Sequence, residues 1–241
     1  MIKKKSLLQG LPAALMVFSA AISICAQDSA KHNTRPQQAA AAPGAVGDAK
    51  TEAVKFTYEF SQPKFVVNHI VLEHDASGRG TVTFERMNEA TPVVEPLELS
   101  SAVLERIRAS WQALNFLESE TGYQADKQFP HLGTMRIGMQ RGDRKRVAEF
   151  NWTNNSDAST LVTEYRKAAD QVILIFDISI ARENQPLGVP KLMEAIESML
   201  KRDALSDPRQ LVKLLQDIST DEHVPLIARN HAQRLIKKIQ K

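Results

Sequence analysis

The sequence predicts an α+β fold: an antiparallel β-sheet of about five strands, two helices on one face, and a C-terminal three-helix appendix. Three observations predict it. First, FPHLGTMRIGMQRGDRKRVAEFNW, from Phe129 to Trp152, reads as a β-hairpin whose register follows from the letters. With Gly142-Asp143 as a two-residue turn, Met135 faces Phe150 and Ile137 faces Ala148 on an apolar side that includes Met139. Arg136 then faces Glu149, and Gln140 faces Lys145, on a polar side. A slip of one residue mixes the two faces. Second, two stretches repeat apolar residues at helical spacing. Third, the C-terminal stretch from Pro190 carries repeated helix starts and no strand pattern.

In chain order, Lys3, Lys4 and Lys5 precede an apolar run from Leu11 to Ala26 that ends in small residues. It is shorter than the roughly 20 residues of a bilayer span. It reads as a signal peptide over 1–26, with a mature chain starting near Gln27 in the periplasm or secreted. A lipidated Cys25 fits less well, because Ile24 is bulky. Residues 27–53, with Pro36, Pro43, two glycines and a run of alanines, have no aromatic residue and no period, and read as a disordered tether. The sheet domain is expected over 54–184 and the helical appendix over 185–241.

Phe56, Tyr58 and Phe60 alternate with Lys55, Thr57 and Glu59, a half-buried strand bounded by Pro63. Residues 64–74 form a second strand, turning at Asp75–Gly78 into a third over 80–87. Pro92 and Pro96 mark a linker. Ser100 or Ser101 caps a helix to about Leu117, with Val103, Ile107, Trp111 and Leu114 inward. After the hairpin, Ser156 or Asp157 caps a long helix with Leu161, Tyr165, Ala169, Val172 and Phe176 on one side. Its end, VILIFDISI, is apolar nearly all round and should be buried on more than one side. Pro190 opens the first appendix helix. Asp207-Pro208-Arg209-Gln210 starts the second with a capping box, and Pro225 starts the third.

GTVTFER after a glycine turn, a serine-capped helix ending in WQALNFL, and an aspartate-bearing loop before a basic hairpin resemble small exported bacterial ββαββα domains, among them the emfourin-type protease inhibitors. The resemblance covers the core from about Val66 to Ala181 and implies a binding module; it assigns no functional residue.

Charge and cysteine narrow the function. The chain has 31 Lys+Arg against 28 Asp+Glu, a formal charge of +3. The signal carries three of those lysines and no acid, so the mature chain balances at 28 against 28. That gives no support for nucleic acid as a partner. The one cysteine, Cys25, leaves with the signal, so no disulfide, thiol catalyst or cysteine metal ligand is expected. No Ser-His-Asp elbow, phosphate loop or dinucleotide fingerprint is present, and no cofactor is implied.

The candidate binding residues are Tyr123, Asp126, Phe129 and His131 in the loop before the hairpin, and Arg141, Arg144, Lys145 and Arg146 at its basic tip. The tip reads either as a grip for an acidic partner or, the favoured reading, as a charged turn. The expected function is a non-enzymatic protein-binding module of the bacterial cell envelope, with a protein partner and inhibitor-like action as one form of that role. One alternative is a metal-dependent hydrolase around His69, Glu73 and His131. The other is a binder of anionic surfaces through the tip. No transmembrane span is expected in the mature chain.

Overall fold

The β-strands of the computed structural model, which describes residues 53–241, are set by period-two alternation. The predicted signal peptide and all but the last residue of the predicted tether lie outside the described residues. In β1 (Val54–Ser61), Phe56, Tyr58 and Phe60 point inward. In β2 (Val67–Asp75), Ile70, Leu72 and His74 do so, and in β3 (Arg79–Arg86), Val82 and Phe84. β5 (Thr134–Arg141) and β6 (Arg144–Phe150) pair in the register expected from the letters: Met135 opposite Phe150, Arg136 opposite Glu149, Ile137 opposite Ala148. Gly142 has φ 56°, while Asp143 is not in the left-handed region. Positive φ at the first central position alone is the type II′ pattern that glycine permits.

The sheet has six strands, not about five. Residues Val93–Glu98, expected as a linker, form β4, and the order is β4-β3-β2-β1-β5-β6 with every neighbouring pair antiparallel. Pro96 pairs with Thr81 of β3. β4 is an edge strand with one ladder partner, so a residue without an N–H is tolerated there. The observed order within the core is therefore βββαββα from β2 onward.

α1 (Ser101–Ala113) and α2 (Ser156–Asn184) cover one face. α1 stops short of Leu117, because Asn115 adopts φ 43° and turns Phe116 back against the Trp111 ring at 4.8 Å. The N-cap of α2 is Asn155, whose Oδ1 accepts from Ala158 N at 2.9 Å, rather than Ser156 or Asp157. α2 crosses the strands: Tyr165 stacks on Tyr58 of β1, and Phe176 meets Phe84 of β3 edge-on.

The C-terminal helices are α3 (Val189–Lys201), α4 (Val212–Thr220) and α5 (Leu226–Ile239). As its all-round apolarity requires, the second half of α2 is buried on two sides. Ile173 belongs to the cluster under the sheet, while Leu174 and Ile178 belong to a second cluster with Met193, Leu215 and Leu235. Gln171, buried between them, fastens the appendix. Its Oε1 accepts from Asp207 N at 3.0 Å and its Nε2 donates to Asp207 O at 3.1 Å. The expected capping box at Asp207 is thus not closed by Gln210, which donates instead to Glu98 O at 2.9 Å. The Asp207 side chain does cap, accepting from Arg209 N at the start of a 3-10 turn that leads into α4. Among the described residues, no helix is long and apolar enough to cross a membrane.

Candidate binding surface

The four basic residues of the hairpin tip do not form one patch. Alternation sends Arg144 and Arg146 to the helix side with Arg141 and Met139, and Lys145 to the open face with Val147. Arg146 donates to Phe116 O and Thr121 O, both at 2.6 Å, and lies over the rings of Phe116 and Tyr123. Arg144 donates to Leu117 O at 3.0 Å and pairs with Glu118 at 2.6 Å. The hydrogen bond from Arg144 holds the Glu118 carboxyl below its usual range. Arg144 and Arg146 are thus struts for the loop that follows α1. Only Arg141 and Lys145 remain exposed tip cations without such bonds among the described residues.

Tyr123, expected at a recognition surface, is 3% exposed; it stacks on Phe116 and tilts against Phe150. Burying the ring under the loop outweighs leaving it in water. Asp126 is exposed.

Phe129 and His131 do come together, at the opposite end of the sheet from the basic tip. The Phe129 ring meets Trp152 edge-on at 5.3 Å and His131 at 6.0 Å. This arrangement is fixed by backbone bonds. Phe129 N–H donates to Asn151 Oδ1, Ala125 N–H to Trp152 O, and Gln62 Nε2 to both Pro130 O and His131 O. Gly133, at φ 93°, lies so close to the Phe60 ring and Ser61 O that no side chain fits. On the other side of Gln62, Phe65 packs on Phe60, and Met87 N–H donates to Val66 O.

The strand directions bring four connections to this one end: 62–66, 87–92, 129–133 and 151–155. They expose Val66 (74%), Met87 (50%), Trp152 (44%), Leu132 (39%) and Phe65 (38%), all large and apolar. Phe129 and His131 are the two residues of this end that the sequence had marked as candidates; the other five were not marked. Phe65, Val66 and Leu132 lie near Pro63 and Pro130 just outside strand ends, a signal in the letters, whereas Met87 and Trp152 carry none.

The open face of the sheet is polar. Glu85, His69, Glu59, Arg136 and Glu149 form a chain across β3, β2, β1, β5 and β6. His69 Nδ1 lies 3.1 Å from Glu85 and Nε2 3.0 Å from Glu59, so both ring nitrogens donate only when the imidazole is charged. Partial burial alone would lower its pKa, but Glu85 and Glu59 outweigh it and raise it. Glu73 pairs with Lys55 at 2.7 Å instead. Among the described residues, no three His, Cys, Asp or Glu side chains are placed to hold a metal ion, so His69, Glu73 and His131 do not converge. His69 and Glu73 find their partners on neighbouring strands across the ladder, where side chains are nearest.

His74 points inward, and its bonds fix its tautomer. Since Asp75 O can only accept, His74 Nδ1–H donates to it at 2.7 Å. Nε2 then accepts from Tyr165 O–H at 2.8 Å, and Tyr165 Oη accepts from Trp111 Nε1–H at 2.8 Å. Burial lowers the His74 pKa and keeps the ring neutral. This relay joins β2, α1 and α2, and its three side chains are buried. Compared with known proteins, the chain matches no protein-family model and no curated protein.

Proposed function

We propose that this chain is an exported, non-enzymatic protein-binding module of the bacterial cell envelope, and that it engages its partner through the aromatic end of the sheet. One observation carries the reading. Five exposed large apolar side chains from four connections lie at a single end, on backbone held by fixed hydrogen bonds. A cluster of this kind marks an interaction site, and aromatic anchors on preorganised backbone are where binding energy concentrates. Export rests on the lysine-apolar-small pattern of residues 1–26. The resemblance to emfourin-type inhibitors agrees with a binding role and makes a protease the first partner class to assay.

The test is in-cell photocrosslinking, with the reactive residue placed at Leu132, at Trp152, or at Lys145 as a control. A discrete adduct from Leu132 and Trp152, missing from Lys145, is expected. No adduct at the aromatic end, or the same adduct from all three sites, would overturn the reading. Amino-terminal sequencing of the same protein should find a start near Gln27; an intact Met1 would rule out processing by signal cleavage.

A further inference from the structure

The corner where α1 ends over the start of the sheet holds a pocket of about 380 Å³, within the range of roughly 300–1,000 Å³ of small-molecule sites. Its floor is Phe56 of β1 and Met139 of β5, which are directly paired. Its wall is Trp111, tilted against Phe56 at 5.6 Å, and Phe116, brought back by the left-handed turn at Asn115.

The mouth carries a cationic excess. Arg108 and Arg141 line it with a single acid, Glu118, which is bonded to Arg144. Arg108 spends one donor on Ala76 O and keeps others. Arg141 is exposed and acts on Glu118 only as a neighbouring charge, so its donors are left for a ligand. The larger cavity between α2 and α3, about 690 Å³, lacks this asymmetry: Arg86 and Lys191 line it together with Asp177 and Glu194, and Arg86 is already bound to Asp177.

We propose that the pocket binds a small amphipathic carboxylate, with its apolar body against Trp111, Phe116 and Met139 and its carboxylate on Arg141 and Arg108. Guanidinium groups suit a carboxylate because their paired donors match its two oxygens. Apolar walls beneath two cations disfavour both an apolar cation and a fully polar anion.

The chain has two tryptophans, so Trp152→Phe in the full chain leaves Trp111 as the reporter in the pocket wall. Titration with octanoate should give a saturable change in Trp111 emission, while octylamine and octanol, of equal chain length, should bind at least about tenfold more weakly. Arg141→Gln should weaken octanoate by roughly tenfold or more, the loss of a hydrogen bond between charged groups. Because Arg141 sits exposed at a turn, that variant should keep the wild-type melting temperature, which Arg108→Gln need not. No saturable change with octanoate, equal binding of octylamine, or unchanged affinity in Arg141→Gln would each overturn the proposal.

Discussion

Two histidines of β2 face opposite sides of the sheet, and their surroundings drive their protonation in opposite directions. His74 is buried with Nε2 committed to accepting, so its folded pKa lies below the ordinary 6.5. Its contribution to stability is present above 6.5 and is lost as pH falls through the lowered folded value. His69 sits between Glu59 and Glu85 with its pKa raised above 6.5. Its contribution is present below 6.5 and is lost as pH rises through the raised value. NMR titration of the two imidazoles should therefore place His69 above His74, and His69→Gln should remove the decline in melting temperature on the alkaline side. The reverse order of the two titrations would refute both assignments. The tip arginines separate in a similar way. Arg146→Gln should cost about 1–3 kcal/mol, because two backbone carbonyls lose a charged donor and two aromatic rings lose a cation. Lys145→Gln should stay within about 0.5 kcal/mol, as exposed turn substitutions do. Urea unfolding of the two variants separates struts from solvated charge; equal losses would contradict the division.

Among the elements, the β5–β6 hairpin depends most directly on its letters. Phe150 is buried opposite Met135, so Phe150→Ala should cost about 3–5 kcal/mol in chemical denaturation, and a loss below about 1 kcal/mol would contradict its core position. That register was legible because a glycine-first turn and two chemically distinct faces allow one pairing only. β4 was not legible, since proline weighs against a strand until the strand is known to lie at an edge. The end of α1 was missed for a related reason. Asn115 takes a left-handed conformation that nothing local demands, and packing of Phe116 on Trp111 supplies the demand. The capping box at Asp207 failed because Gln171, from a different helix, reaches the same backbone groups first. Gln171→Leu should then cost about 1–3 kcal/mol by leaving the Asp207 N–H unpaired, which thermal unfolding would register. A neutral effect would mean that solvent replaces the clasp.

At the scale of the molecule, the topology separates two ends of one sheet. Strand direction gathers the 62–66, 87–92, 129–133 and 151–155 connections at the aromatic end, and the hairpin tip and the Asp75–Gly78 turn at the other. This is why the candidate surface was only partly legible in the chain. Phe129 and His131 are neighbours in sequence, whereas Phe65, Met87 and Trp152 reach the same end only after the strands have paired. It also explains why the basic tip, conspicuous as a run of letters, breaks up in three dimensions: alternation turns its residues to two faces, and two of its arginines hold a loop. The two ends can be told apart by binding. With the crosslinked partner purified, the dissociation constant is compared for the wild type, Trp152→Ala, Leu132→Asp and Lys145→Gln, each checked for unchanged melting temperature. A loss of about 2 kcal/mol, some thirtyfold, is expected for each aromatic-end variant, with wild-type affinity for Lys145→Gln. Wild-type affinity in both Trp152→Ala and Leu132→Asp would contradict binding through the aromatic end.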